Sequence, residues 1–221
     1  MIDNKKVSAL IPTLNEEGNI KDTILNLPDF IDEVIIIDGY SKDKTAEIAK
    51  KLKAKVIFDK GKKGSALIQG AKEAKGDILL AIDADGSHKF SELRLFSEAI
   101  NAGYDFAFGS RFILGGGTSD MTLTRRLGNK FFVILVNLIY DCHFTDLCYG
   151  YRAFSKDAFL KLKLKSVGFE IETEMSIRAI QENCKIIEIP SFEGKRIKGE
   201  GKLKTFKDGF RIFKTILKET K

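Results

Sequence analysis

A chain of 221 residues that is 43% hydrophobic, 31% charged and contains 17 Phe and only three Pro can bury one α/β core, and its composition excludes a disordered segment. The net charge of +6 belongs to one stretch: residues 195–221 hold ten Lys/Arg against three Asp/Glu, leaving 27 basic and 28 acidic side chains elsewhere. That distribution excludes a protein that binds nucleic acid with its whole surface.

In chain order, short β-branched runs at 7–11, 33–38, 55–59, 77–82 and 106–109 predict strands. Between them, residues 19–27, 44–52, 65–75 and 91–102 space apolar side chains three and four apart, which predicts helices covering a mainly parallel sheet. The Val34-Ile35-Ile36-Ile37 and Ile78-Leu79-Leu80-Ala81-Ile82 runs suit central strands buried on both faces. After Gly109 the rhythm changes: a Gly115-Gly116-Gly117 loop, an apolar helix over 125–140, a helix over 172–183 and a strand over 185–189. No repeat or Pro-rich linker divides the chain, so a single domain spanning 1–221 is expected. Within it, three parts are expected: 1–111 with the regular strand–helix alternation, 112–200 where that rhythm changes, and a basic amphipathic helix over 201–221.

Cys142, Cys148 and Cys184 lack C-x-x-C spacing and fit reduced thiols better than a disulfide framework or zinc ribbon. The first residues lack a signal-peptide apolar core, and the greasiest stretch, 131–140, is interrupted by Asn137 and far shorter than the roughly 20 residues that span a bilayer. A cytoplasmic protein, peripheral on the cytoplasmic face of the cell membrane, is the expectation.

Ligands of open parallel sheets collect beyond the carboxyl ends of the strands, where strand order reverses. The residues read off those ends are Asn15-Glu16-Glu17, Asp38 and Ser41, Asp83 and Asp85, and Ser110-Arg111. In Ile82-Asp83-Ala84-Asp85-Gly86 two carboxylates follow a buried strand and can approach one hard cation, leaving positions for phosphate oxygens; a solvated turn is the plainer reading of D-x-D alone. Asp38 suits a helix cap or a hydrogen bond to a base or ribose. Lys60-Gly61-Lys62-Lys63-Gly64-Ser65 opens a helix with positive charge and backbone N–H groups, suiting either an anion or a solvated turn, and lacks the P-loop pattern. Glu170, Glu172 and Glu174 begin a helix, where a general base or favourable interaction with the helix dipole both fit.

Together these residues resemble glycosyltransferase family 2. Ile11 to Glu17, Ile37 to Thr45, Lys63-Gly64 to Gly76-Asp77, Asp83-Ala84-Asp85 and Gly109-Ser110-Arg111 match its motifs in order. Arg125-Arg126-Leu127, Gly150-Tyr151-Arg152-Ala153-Phe154 and Gly199-Glu200-Gly201-Lys202-Leu203 extend the likeness to the dolichyl-phosphate mannose and glucose synthases. The resemblance implies a GT-A fold, Rossmann-like and ending in the amphipathic helix, with inverting transfer and a divalent cation, Mg²⁺ or Mn²⁺, on Asp83 and Asp85. It places the nucleotide against Pro12, Asn15, Glu16, Asp38, Gly64, Asp83 and Lys202. Arg111, Arg125, Asn129, Arg196 and Lys198 would face the phosphates or the acceptor; Asp85, Arg111, Arg125 and Glu172 form the candidate catalytic set. Where the synthases commonly carry a metal-assisting Gln, this chain has Ser87, which puts a third protein ligand in doubt.

The partners so implied are a nucleotide-sugar donor, a polyprenyl-phosphate acceptor and an anionic membrane surface, with no nucleic acid. A phosphate acceptor is already anionic and needs no base, whereas a sugar hydroxyl would need one. Leu203, Phe206, Phe210, Phe213 and Leu217 recur at helical spacing among seven basic residues running to Lys221, a pattern that suits a helix lying on an anionic leaflet or one packing its apolar face on the domain. As the chain stops there, any membrane contact is expected to be peripheral and salt-sensitive. Two other classes compete: a sugar-1-phosphate nucleotidyltransferase, disfavoured because Pro12-Thr13-Leu14-Asn15 replaces a G-x-G-T-R start, and a non-catalytic nucleotide- or membrane-binding module, disfavoured by the intact D-x-D.

Overall fold

The computed structural model describes residues 1–199 and 201–220; Glu200 of the Gly199 to Leu203 motif and Lys221 of the basic tail lie outside the described residues. Five predicted strands form as β1 (Val7–Thr13), β2 (Glu33–Asp38), β3 (Lys55–Phe58), β4 (Ile78–Ala81) and β5 (Phe106–Ser110), interleaved with α1 (Ile20–Leu25), α2 (Thr45–Lys51), α3 (Lys63–Glu73) and α4 (Leu93–Asn101). The second half supplies β6 (Gly117–Thr118), α5 (Leu123–Tyr140), β7 (Arg152–Ser155), α6 (Lys156–Lys161), α7 (Ile171–Gln181), β8 (Ile186–Pro190), β9 (Phe192–Glu193) and α8 (Thr205–Glu219).

The main sheet has the order β3-β2-β1-β4-β7-β5-β8 and is parallel except for β7, which runs against both β4 and β5. Alternation along the strands divides the core. Val7, Ala9 and Ile11 of β1 face α1, α2 and α4, whereas Leu10 faces α3 and the helices of the second half. Strand order reverses between β1 and β4, placing the carboxyl ends of these two neighbouring strands, with Thr13 and Asp83, at the ligand-bearing edge.

β7 and α6 were not expected. A four-residue strand carrying Arg152 does not read as a central strand, yet it pairs on both sides because the guanidinium finds buried acceptors. Arg152 donates to the carbonyls of Tyr149 (2.9 Å), Glu172 (2.8 Å) and Leu147 (3.1 Å) and to Ser176 Oγ (3.0 Å), and lies over the Phe108 ring. The predicted apolar helix begins two residues early because the Thr122 hydroxyl caps it, accepting the Arg125 N–H.

The amphipathic tail forms, with its sides shared out differently from the predicted stripe. Ile212 and Ile216 enter the core and Phe213 is partly covered against Phe131, while Phe206 (86% exposed), Phe210 and Leu217 face outward. Along α5, Leu123, Leu127, Phe131, Ile134 and Leu138 (79% exposed) form a second outward stripe at three- and four-residue spacing. Among the described residues no helix is long and apolar enough to cross a membrane, and all three cysteines are free.

Candidate active site

One cavity of about 560 Å³ opens at the carboxyl edge of the sheet. Its walls come from the ends of β1, β2 and β4, the first turn of α3, the first turns of α5 and α7, the turn before β7, Glu193 and Arg196, residues 201–204 and the first turns of α8. Of the residues singled out in the sequence, Pro12, Glu16, Asp83, Asp85, Arg111, Arg125, Asn129, Glu172, Arg196 and Lys202 line it; Asn15, Asp38, Gly64 and Lys198 do not.

The carboxylates at the end of β4 are held from several sides. Asp83 Oδ1 lies 2.7 Å from Lys63 Nζ, whose ammonium also reaches Glu172 Oε1 at 2.9 Å. Burial opposes ionisation of Asp83, but Lys63, then His88 and Arg196, outweigh it and hold the carboxyl down to about 2. Burial by itself would favour a neutral Lys63; Asp83 and Glu172 reverse that and push the ammonium above its ordinary value.

The His88 ring is buried and stacks on Tyr151. It accepts the Asp83 N–H at Nδ1, leaving Nε2 3.6 Å from Asp83 Oδ2. Burial pushes this imidazole below its ordinary value despite the attraction of Asp83 and Asp85. Asp85 Oδ2 pairs with Arg196 at 2.7 Å, and its Oδ1 accepts from the Ser87 N–H (3.0 Å) and hydroxyl (2.7 Å). Ser87 therefore shapes Asp85. Gly86 turns the chain at φ +74°, and a Cβ there would meet Ile197 at 2.4 Å.

The loops after β1 and β2 are laced together. Asn15, at φ +53°, accepts the Lys42 N–H at its side-chain oxygen and donates its own N–H to Ser41. The Asp38 carboxylate is fully buried, accepting from the Ser41 N–H (2.7 Å), the Ser41 hydroxyl (2.6 Å) and the Thr13 hydroxyl (3.1 Å). These two residues hold the loops together and are not among the residues that line the cavity. Glu16 does face the cavity, paired with Lys202 at 2.7 Å and with Arg196 at 3.6 Å.

In the basic stretch that opens α3, the Gly64 and Ser65 N–H groups are committed, both donating to the Val167 carbonyl. A Cβ on Gly64 would lie 2.4 Å from the Ser166 carbonyl oxygen, so this glycine permits helix docking.

The predicted phosphate-facing cations divide into two kinds. Arg111 comes to the cavity wall with its guanidinium committed, two bonds to buried Asp146 (2.7 and 2.9 Å) and one to Glu193 (3.0 Å). Arg125 makes one bond, to the Leu203 carbonyl at 3.3 Å, and has no acidic partner among the described residues. Asn129 uses its side-chain oxygen to accept the Leu147 and Cys148 N–H groups. Lys198 lies outside the cavity near Gly18, its carbonyl accepting from Asn19.

The Glu170-Ile171-Glu172-Thr173-Glu174 stretch also separates. Glu170 accepts the Gly168 N–H, Glu174 accepts those of Lys165 and Ser166, and only Glu172 reaches the cavity. His88 and Asp146 carry no local signal in the sequence, and Lys63 and Arg152 lie in motifs that give neither an individual role. Lys63 immediately precedes a glycine already singled out, but nothing local in the sequence pairs Asp146 with Arg111.

A cation site built from Asp83 and Asp85 fits this geometry. Both carboxylates line the cavity, and their present counter-charges are side chains from outside β4. Among the described residues no group of three or more His, Cys, Asp or Glu could hold a metal, so a cation here would take its remaining ligands from substrate oxygens and water.

The strand order thus reverses beside the cavity, next to the strand whose end carries two carboxylates, where ligands of α/β sheets collect. The Glycosyl transferase family 2 model matches residues 8–163, and the chain belongs to that family. It is 33% identical over 211 residues to the dolichol-phosphate mannosyltransferase of Pyrococcus furiosus, covering 90% of this chain but 59% of that protein. It is 32% identical to the UDP-N-acetylglucosamine–dolichyl-phosphate N-acetylglucosaminyltransferase of Methanococcus voltae, over 85% of each chain. Among solved structures, glucosyl-3-phosphoglycerate synthase of Mycobacterium tuberculosis, in complex with Mn²⁺, UDP and glucosyl-3-phosphoglycerate, superimposes with a TM-score of 0.79 at 20% identity, over 98% of this chain and 80% of that one. The GT-A fold expected from the motifs is the fold observed.

Proposed function

We propose that this chain is an inverting transferase moving a hexose or N-acetylhexosamine from a GDP- or UDP-sugar to a polyprenyl or dolichyl phosphate at the cytoplasmic membrane face. The observation that carries this reading is the continuity of the cavity. It runs from Asp83 and Asp85, past Arg125, into a trough between α5 and α8 floored by Phe132 and Ile212. An acidic end suits a metal-bound diphosphate, an arginine with no acidic partner among the described residues a second phosphate, and an apolar trough the first isoprene units. Two relatives with dolichyl phosphate in their names support the same acceptor class.

In this reading Pro12, Glu16 and Lys202 shape the donor end, Arg196 and Arg125 offset repulsion between the two phosphate-bearing substrates, and Asn129 holds the 147–148 turn in place. A divalent cation on Asp83 and Asp85 supplies Lewis-acid charge for the departing nucleoside diphosphate. The acceptor phosphate oxygen attacks C1 from the face opposite the leaving group. The C1–O bond to the diphosphate breaks as the new one forms, which inverts the centre. Such an acceptor needs no proton removed, in keeping with Glu172, the candidate base, being bound to Lys63; Glu16, Asp85, Glu193 and Asp208 have cationic partners as well, while Asp59 and Asp120 line the cavity without one among the described residues.

The outward stripes of α5 and α8 flank the trough and would rest on the leaflet. α5 carries no acidic residue, and both acids of α8 are spoken for, Asp208 by Arg211 and Glu219 by Arg178. Arg126, Lys130, Lys207, Lys214 and Lys218 remain to meet anionic headgroups. One domain, 1–221, with a donor half, an acceptor half and a membrane-facing helix, describes this arrangement.

The decisive assay incubates the protein with Mg²⁺ or Mn²⁺, a panel of UDP- and GDP-sugars and a short polyprenyl phosphate, and looks for glycolipid. Product on a sugar hydroxyl but none on the lipid phosphate would overturn the acceptor. Flotation with anionic liposomes should show binding at low salt that fades at high salt, since surface charge is screened within about 10 Å at 0.1 M; no binding at low salt ends the membrane reading.

A further inference from the structure

Lys63 plays no part in the proposed transfer, yet it joins two carboxylates of the cavity wall. Its ammonium bridges Asp83 and Glu172, all three residues line the cavity, and only a tenth of the Lys63 side chain is accessible. Its position is fixed. The N-terminus of α3 is tied to the Val167 carbonyl through Gly64 and Ser65, and a Cβ on Gly150 would stand 2.2 Å from Nζ, so backbone closes the other side. A structural ion pair would need no contact with the cavity; this one sits on a carboxylate already assigned to the cation. Arg196 stands in the same relation to Asp85.

We infer that Lys63 is an internal place-holder for the divalent cation, occupying Asp83 until metal and nucleotide diphosphate arrive together. The inference rests on the metal-dependent reading above. A divalent ion entering alone must displace an ammonium from its ligand and gains little by the exchange. When a diphosphate enters with it, the anionic oxygens give Lys63 and Arg196 new partners, so the displacement is offset. Metal and nucleotide therefore raise each other's affinity, and by linkage the factor is the same in both directions.

The test is a Mn²⁺ titration, with free Mn²⁺ read by electron paramagnetic resonance, in the absence and presence of UDP or GDP and scored against the Mn²⁺ bound by nucleotide alone. Three proteins are compared: wild type, Lys63→Met and Lys63→Met/Glu172→Gln. The double variant restores the wild-type local charge, because one cation and one anion are lost together, while leaving Asp83 without its ammonium. It also replaces a buried ion pair by neutral groups of similar size, which folded proteins tolerate, and so covers the case in which Lys63→Met does not fold.

Wild type should bind Mn²⁺ weakly alone and much more tightly with nucleotide. Both variants should bind Mn²⁺ alone about tenfold more tightly than wild type, and the enhancement by nucleotide should shrink by a similar factor. Equal or weaker Mn²⁺ binding by both variants, with the wild-type enhancement intact, overturns the place-holder. Tighter binding by the single variant alone also overturns it, since net charge then explains the effect. If wild type takes up no Mn²⁺ even with nucleotide, the metal-dependent reading itself has failed.

Discussion

The two ends of the cavity are built on opposite plans. At the strand ends almost every polar side chain is satisfied before substrate arrives: Asp38 by Ser41 and Thr13, Asp85 by Ser87 and Arg196, Arg111 by Asp146 and Glu193. At the α5–α8 end Arg125 lacks an acidic partner among the described residues, and two apolar stripes face outward. In the proposed reading the donor end is a pre-assembled electrostatic frame, whereas the acceptor end is left to be completed by what docks on it. Rigid placement suits the bond that breaks; an open, greasy approach suits a substrate that arrives from a membrane.

The largest effect should come from the frame. Asp85→Asn should lower glycolipid formation on the order of 10²–10³-fold, the scale for losing one preorganised charge contact in a transition state, with secondary structure unchanged by circular dichroism. Unimpaired turnover would remove Asp85 from the chemistry. Arg125→Ala should raise the KM for polyprenyl phosphate by roughly 10- to 100-fold, as expected for about 1.5–3 kcal/mol in a hydrogen bond to a charged group, with the donor KM little altered. An equal rise for both substrates would mean that the two ends are not separate.

Asp38→Ala sharpens the contrast differently. It should cost about 1–3 kcal/mol of stability in urea denaturation by orphaning the Ser41 and Thr13 donors, and change the donor KM less than a lost ligand contact would. A large KM effect with unchanged stability would return Asp38 to the nucleotide. Smallest on the folded protein is Phe206→Ser with Phe210→Ser, expected within about 0.5 kcal/mol of wild-type stability because both rings are exposed, yet weakening liposome flotation. Unchanged flotation would take α8 off the membrane.

Legibility in the sequence followed the range of the forces involved. β1, β2 and β4 were readable because Leu10, Ile35 to Ile37 and Ile78 to Ala81 must be apolar on buried faces, and the helices because their apolar spacing is local. Asp83, Asp85, Glu16, Arg125 and Glu172 were readable as positions because strand ends and helix starts locate them. What they bind was not. Arg111 and Asp146 stand 35 residues apart, Arg125 and Leu203 78 apart, and no local pattern forecasts either meeting. β7 hid for a related reason: Arg152 is admitted to a central strand only by carbonyls that surround it after folding.

That strand has a consequence for how the molecule is made. Because β7 is antiparallel, its beginning, not its end, lies at the ligand-bearing edge, and Gly150 is delivered beside Lys63, Asp83 and Glu172. Residues 1–111 alone would leave β4 and β5 separated by an empty lane, so during synthesis the sheet can close only after residue 155 has left the ribosome. Acceptor preference would then resist transplantation by cutting at 111 and grafting a foreign second half, since the graft would also replace the strand that joins the sheet together.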